Sequence, residues 1–594
     1  MNKEYVMILG SAEQIHAYTA RGWWGTQTLS DLFLDCVRAA PDAVAVVDPA
    51  NRADFTAGAF SRLTYSDLAQ RVDRLASALL EMGIQKDDIF MVQLPNIVEL
   101  VCAYLAAARI GAIISPLPIQ YRTHELRQTM SIIQPKAFIT TSNANGFNYV
   151  EMVQSIRAEF PSLKTIIAIG DDLPEAVVSL TAVLNTAHDP QPLNDYLSKT
   201  PITANDCLTI CWTSGTETEP KGVPRSHNHW LSIAYVTFDG AQIDLRCNML
   251  NPFPLVNMSG IGGMLVPWLL SGGKLVMHQP LNLPVFLKQI ADEHINYTVC
   301  PPVLLNLLLL KPQLLANTDL SAIKNIGSGS SPLTPWMVTQ WKEKYGIDVL
   351  NFFGSNEGTG FVSGPVDIPS PAERARFFPR YGVPGFKWAF RQSDAISTKL
   401  VDPVTKAVIT EPGIPGEMAI KSPAIFAGYY NRPDLTAKSF DDDGYFYTGD
   451  LFAIDGEGGV LNRYRFVGRQ KDIIIRAGMK IAPEEIEFLI QEFPKVAEIA
   501  VLGVEDRRIG EEQVFAVVVL QKDQTTTLSE IVDFLKTKDI AAYKLPKKLV
   551  IVEAMPRNPI GKILKRVLKE KIQAALVEQQ VASEKELDEI ALPV

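Results

Sequence analysis

Apolar residues recur along this chain in two alternating rhythms, and the alternation predicts a fold class. Over residues 66–82 they return every third or fourth position, the spacing of one helix face, whereas 89–94 is a short unbroken apolar run of strand type. Residues 99–110 are helical again and 112–114 strand-like, so the stretch 63–140 reads as a parallel α/β unit. A second such run spans 263–350: strand-like 274–278, helical 283–294, strand-like 297–300, helical 303–310, then strand-like 323–326 and 351–353. Between about 399 and 468 the texture changes to short β-rich pieces broken by clusters such as Asp441-Asp442-Asp443-Gly444 and Asp455-Gly456, which predicts antiparallel strands or a small barrel-like part. After 472 helix and strand return, with helices at 483–491 and 528–536, strands at 496–504 and 514–520, and a frayed helix after 577. The expected architecture is therefore α/β with several subdomains. Residues 1–470 form a large N-terminal domain of two α/β lobes plus the β-rich part, and residues 471–594 form a smaller α+β domain.

Length and composition sharpen this picture. A chain of 594 residues corresponds to roughly three to five domains or subdomains. With 47% hydrophobic and 21% charged residues, it lies far from the disordered corner of composition space and can bury a large core. The net charge of −10 offers no overall basic field for nucleic acid, so that partner is not expected. Cys36, Cys102, Cys207, Cys211, Cys247 and Cys300 are scattered through apolar stretches without a CxxC pair, and read as reduced, mostly buried thiols. Residues 1–10 lack the pattern of a secretory signal, and the longest apolar runs, 264–270 and the interrupted 299–310, fall short of the roughly 18–20 residues that span a bilayer. The expected setting is the cytoplasm, with no transmembrane segment.

Five segments carry chemistry. Cys211-Trp212-Thr213-Ser214-Gly215-Thr216-Glu217-Thr218-Glu219-Pro220-Lys221-Gly222 runs from an apolar strand into a loop of hydroxyls and glycine closed by Lys221, a composition suited to wrapping phosphate oxygens. It is not a Walker A loop, since the glycine before the lysine and the hydroxyl after it are missing; taken alone it is equally a polar surface turn. Phe352-Phe353-Gly354-Ser355-Asn356-Glu357 follows a predicted strand, which puts Ser355 and Glu357 at a strand's C-terminal end, where α/β sheets bind ligands and where a carboxylate can hold Mg²⁺ against a triphosphate. Tyr447-Thr448-Gly449-Asp450-Leu451 offers an acid in a turn, suited to a ribose diol or to simple capping. The stretch from Gly468 through Arg469, Lys471, Gly478 and Pro483 to Glu487 joins the β-rich part to the C-terminal part. Pro556-Arg557-Asn558-Pro559-Ile560-Gly561-Lys562-Ile563 sets a lysine on a Pro/Gly loop before a basic helix.

In this order and at these spacings the segments resemble the adenylate-forming superfamily of acyl-CoA synthetases, peptide-synthetase adenylation domains and luciferases, and most of all its acid–CoA ligases. The resemblance also takes in Leu63-Thr64-Tyr65-Ser66-Asp67-Leu68, Ser328-Gly329-Ser330-Ser331-Pro332-Leu333, Gly416-Glu417-Met418 and Gly428-Tyr429-Tyr430, so it covers most of the chain. It implies a two-step enzyme: a small-molecule carboxylic acid and Mg·ATP give an acyl-adenylate and pyrophosphate, then coenzyme A takes the acyl group and AMP leaves. Lys562, Glu357 and Thr216 would be catalytic, with Glu357 on the metal. Thr213, Ser214, Gly215, Thr216 and Lys221 would hold the outer phosphates and Ser355 the inner one. Gly329, Ser330, Ser331, Phe353 and Gly354 would contact the nucleotide, and Asp450 and Arg469 the ribose. Asn257 and Gly329 would face the acid. The family's C-terminal domain swings about a hinge that corresponds to Lys471, and Gly478 would then let pantetheine pass close to the backbone.

Two departures from the family pattern are visible. Glu217-Thr218 stand where members usually have Thr-Gly, and Asn257 stands where many have His, so the resemblance leaves the acyl group open. Pro224-Arg225-Ser226-His227 is similar to aryl-acid activators, whereas 556–569 is similar to fatty-acyl and 4-coumarate-type ligases. The run 536–571 is rich in Lys and Arg and is either a CoA-attracting surface or a solvated helix face. The alternative acceptor to CoA is the phosphopantetheine of a separate carrier protein.

Overall fold

The computed structural model describes residues 9–213, 220–457, 460–476, 479–506, 511–538, 540–557, 562–582 and 589–591. Thr64 starts the first long helix, Tyr65–Glu81: its hydroxyl accepts from the Asp67 N–H and the Asp67 carboxylate accepts from the Thr64 backbone, a reciprocal cap worth about 1 kcal/mol. Leu68, Val72, Leu75 and Leu79 then fall on one buried face. The next helix, Val98–Ile110, is mostly apolar and buried almost all round, being covered by Tyr65–Glu81 and by Leu29–Ala39.

These helices serve a seven-stranded sheet in the spatial order Lys221–Ser226, Cys207–Thr213, Ile113–Pro116, Ile89–Val92, Ala137–Thr141, Thr165–Ile169, Val177–Ser179. Neighbours are parallel except for the first two, which form an antiparallel hairpin with Thr213 opposite Lys221. The loop closing that hairpin is the phosphate-loop candidate.

The second lobe carries an eight-stranded sheet: Gly360–Ser363, Asp348–Gly354, Asn325–Gly329, Tyr297–Val299, Asn248–Asn251, Lys274–Met277, Val44–Val47, Arg62–Thr64. Its last two strands come from the chain before the first lobe, and Val46 pairs in parallel with Leu275. The two lobes are thus interlaced rather than strung in sequence. The β-rich part is a six-stranded antiparallel sheet ordered Phe377–Pro379, Val460–Arg469, Phe446–Glu457, Pro415–Lys421, Ser397–Val401, Val408–Ile409; it begins about twenty residues earlier than the texture change near 399 suggested.

From Ile474 onward the chain packs on a core of its own, built by Ile486, Ile490, Val501, Val514, Ile531 and Leu535. Its sheet runs Val496–Asp506, Glu511–Leu520, Lys548–Ile551, Glu589–Ala591. The last strand corrects the expectation of a frayed helix for the whole tail. The helix Lys565–Ala582 does extend past 577, but Glu589–Ala591 then pairs in parallel with Lys548–Ile551, because the edge of that strand presents backbone groups that need partners. Several cations of the basic run 536–571 are paired with acids lying outside it: Lys538 with Glu492, Lys544 with Glu485, Arg557 with Glu498 and Lys569 with Glu512. The six cysteines are buried free thiols. Among the described residues no helix is long and apolar enough to cross a membrane.

Candidate active site

The site lies at the C-terminal edge of the second lobe's sheet. Asn325–Gly329 and Asp348–Gly354 run parallel there, Gly329 beside Phe352. A Cβ on Gly329 would fall 2.3 Å from the Phe352 carbonyl oxygen, so glycine is required by the close approach. Ser330 follows with φ +70°, and Ser330 and Ser331 are exposed at the strand end.

Phe353 turns its ring into an aromatic cluster with Phe452, Phe466, Phe378 and Phe361, at centroid distances of 5.1, 5.6, 5.9 and 6.1 Å. This cluster joins the second lobe to the six-stranded sheet. Ser355 lies two residues past Phe353 in the chain, Asp450 two residues before Phe452 and Arg469 three past Phe466. Gly354 ends the strand, and the turn after it is closed by Ser355 N–H to Thr359 O at 3.0 Å. The Ser355 hydroxyl is buried, yet among the described residues it has no hydrogen-bond partner. A buried hydroxyl with nothing to bond is what a ligand oxygen would satisfy.

Glu357 Oε1 accepts from the Tyr429 hydroxyl at 3.0 Å, and the same ring lies 5.4 Å from Lys221 Nζ. Asp450 pairs across the sheet with Arg469, whose Nε is 3.3 Å from its Oδ1. Burial pushes the Asp450 carboxyl up to about 6, against the pull of Arg469 and Lys562; Glu357 adds to the rise. Lys562 is brought to this point from the C-terminal unit. Burial pushes its ammonium down to about 8, helped by Arg469 and Lys471 and opposed by Asp450 and Asp472. Lys471, in the single turn Gln470–Asp472, is lowered by burial and by Arg469. Arg469, Lys471 and Lys562 thus crowd around Asp450, and Arg469 makes both ammonium groups harder to keep protonated. Such a cluster is poised for an anion.

Thr213 stands at the end of its strand. Ser214, Gly215, Thr216, Glu217 and Thr218, and likewise Gly478, lie outside the described residues. Asn257 uses its Oδ1 to cap the following helical turn, accepting from Ser259 N–H at 3.0 Å and Gly260 N–H at 3.3 Å.

Two residues that organise the site carried no assigned role in the sequence. Asn356 donates to Trp212 O and accepts from Met258 N–H, both at 2.9 Å, tying the strand before the candidate phosphate loop to the segment after Asn257. Arg225 is completely buried and donates to Asn356 O, Ala424 O and His229 O at 2.9, 2.8 and 3.0 Å, so it supports the Glu357 turn from beneath. Burial pushes this guanidinium down to about 10. The only sequence signal for either was membership of a quoted motif. His227, from the same motif as Arg225, accepts from Leu29 N–H at 3.1 Å through Nδ1, and burial lowers it to about 4, so it is a neutral part of the packing.

The AMP-binding enzyme family pattern matches residues 33–430, and the pattern of the AMP-binding enzyme C-terminal domain matches 485–562. The medium-chain fatty-acid–CoA ligase of Escherichia coli is 30% identical over 567 residues, covering 95% of this chain and 93% of that protein. The 2,3-dihydroxybenzoate-AMP ligase of Bacillus subtilis is 26% identical over 576 residues, covering 95% and 97%. Among solved structures, ATP-bound MatB from Rhodopseudomonas palustris superimposes with a TM-score of 0.75 at 26% identity, covering 92% of this chain and 100% of that one. With these matches running the length of both domains, the chain belongs to the adenylate-forming family of AMP-binding enzymes and is most like its acid–CoA ligases.

Proposed function

We propose that this protein is an AMP-forming acid–CoA ligase, and the observation that carries the reading is the convergence of Lys562, Arg469 and Lys471 on Asp450, within the field of Glu357. The first half-reaction brings two anions together: a carboxylate oxygen bonds to the α-phosphorus of ATP while the bond to pyrophosphate breaks. Cations and oriented donors at the point of charge build-up lower that barrier. Lys562 bridges the carboxylate and the α-phosphate, Ser355 donates to an α-phosphate oxygen, and Asp450 accepts from the ribose hydroxyls with Arg469 keeping it ionised. The loop from Thr213 to Lys221, with Thr216 in it, holds the outer phosphates, and Gly329 to Ser331 and Gly354 border the nucleotide.

The donor set fits Mg²⁺, since Glu357 presents hard carboxylate oxygens at a strand end and takes one hydrogen bond from Tyr429. Bound there, the ion would screen phosphate charge. In the second half-reaction the CoA thiol attacks the acyl carbon, the acyl–phosphate bond breaks and AMP leaves. Lys562 belongs to the C-terminal unit, so residues 471–594 must seat for the first step and withdraw for the second, with Lys471 as the hinge and Gly478 lining the thiol's path.

Screening carboxylic acids for AMP formation, with CoA and with a carrier-bound phosphopantetheine as separate acceptors, tests the reading. Acid-dependent AMP release that requires CoA is expected. Preference for the carrier would favour the second reading, a free-standing adenylating enzyme, which the likeness to an enzyme named as an AMP ligase keeps in view. Absence of pyrophosphate exchange with every acid would overturn both.

A further inference from the structure

Glu484 opens the helix Pro483–Ile490 of the C-terminal unit, and its carboxyl group lies where that unit meets the end of the six-stranded sheet. A Cβ on Gly468 would fall 2.3 Å from Glu484 Oε2, so the carboxyl group rests directly on the backbone of the residue before Arg469. Its other oxygen lies 3.4 Å from Lys565 Nζ, three residues beyond Lys562. Lys565 is shared with Glu487, 2.8 Å away. Among the described residues Glu484 Oε2 is buried without a hydrogen-bond partner. One turn along the same helix, Arg376 of the large domain lies 5.7 Å over the Phe488 ring, so the helix touches the large domain at a second point.

We infer that Glu484 is a positioning residue for the first half-reaction: wedged between Gly468 and Lys565, it seats the C-terminal unit so that Lys562 faces Asp450. The inference rests on the two-step reading above. A wedge of this kind is sensitive to its own proton. The charged groups facing it are Lys565 from the last long helix, Glu487 from its own helix and Asp472 from the turn after Arg469. Burial raises the Glu484 carboxyl to about 7; Lys565 opposes the rise, and Glu487 and Asp472 add to it. An unpartnered carboxylate oxygen is costly in such a place and a neutral carboxyl much less so. Glu484, Glu487 and Lys565 travel together when the unit swings, but Gly468 stays behind, so withdrawal returns the carboxyl group to water and lowers its pKa toward the ordinary range. The seated arrangement binds the proton more tightly. It is therefore favoured below about pH 7 and weakened as pH rises through that value.

The test measures the half-reactions separately, ATP–pyrophosphate exchange for the first and CoA transfer from preformed acyl-adenylate for the second, from about pH 6 to about pH 8.5. Glu484→Gln, which imitates the protonated form, is expected to keep exchange and to remove the inflection near neutrality, while CoA transfer on the alkaline side falls by about threefold to tenfold. Gly468→Ala is expected to weaken exchange by crowding the wedge. A Glu484→Gln profile that superimposes on the wild type in both half-reactions would overturn the inference while leaving the ligase reading intact; no exchange by the wild type with any acid would remove the ligase reading itself. Should Gly468→Ala fail to fold, the Glu484→Gln profile settles the matter alone.

Discussion

Lys562 sits where its own charge is disfavoured, which in the proposed first half-reaction suits an ammonium that waits for a transient anion. Its depressed value, about 8, and the raised value of Asp450, about 6, bound a pH window. Asp450 must be ionised to accept hydrogen bonds, so activity is lost as pH falls through about 6; Lys562 must be protonated, so activity is lost as pH rises through about 8. A bell-shaped kcat/KM for adenylation with limbs near those values is expected in Glu484→Gln, where the inflection near 7 is removed, because kcat/KM reports the free enzyme. Lys562→Ala should lower ATP–pyrophosphate exchange by about 10²- to 10³-fold and leave CoA transfer from preformed acyl-adenylate largely intact. Equal loss in both assays would contradict the assigned role.

At the scale of elements, the aromatic cluster around Phe353 is what brings two sheets into one site. Phe353→Ala removes the ring that packs on Phe452 and Phe466, and should cost about 3–5 kcal/mol in urea unfolding together with a raised KM for ATP. Asn356→Ala unties Trp212 from Met258 and should cost only about 1–3 kcal/mol, yet raise KM for ATP about tenfold; a stability loss with unchanged KM would make the tie purely structural. Much at this level was legible beforehand. The helix expected at 66–82 is Tyr65–Glu81, and the strand expected at 274–278 is Lys274–Met277, because one-sided burial imposes the helical period and full burial imposes the apolar run. The strand Glu589–Ala591 was not legible: it is short, its neighbourhood is charged, and its partner strand lies some forty residues earlier in the chain.

For the whole molecule, the C-terminal unit has its own core and meets the rest at the candidate site through Lys562 and at Gly468 through Glu484. Lys471→Pro fixes φ at the turn Gln470–Asp472 and is expected to impair CoA transfer more than adenylation, by roughly tenfold in the ratio of the two rates. An unchanged ratio would count against a swing about this residue. The salt bridges of the run 536–571 show why local charge counts mislead: Lys538, Lys544, Arg557 and Lys569 are answered by acids from other elements.

Patterns with a short reach were readable from the order of residues alone: the α/β alternation, the β-rich interruption, the thiol character of the cysteines and the ordered motifs that mark the family. Each depends on neighbours a few positions away. The tertiary structure alone decided that Val44–Val47 completes the second sheet, that Arg225 and Asn356 face inward beneath Glu357, that Phe353 clamps two sheets, and that Glu484 rests on Gly468. Those arrangements depend on strand order and on which buried groups find one another across about a hundred residues of chain or more, or across a domain boundary. Burial and hydrogen bonding at that range act on three-dimensional neighbours, for which the linear pattern carries no spacing rule.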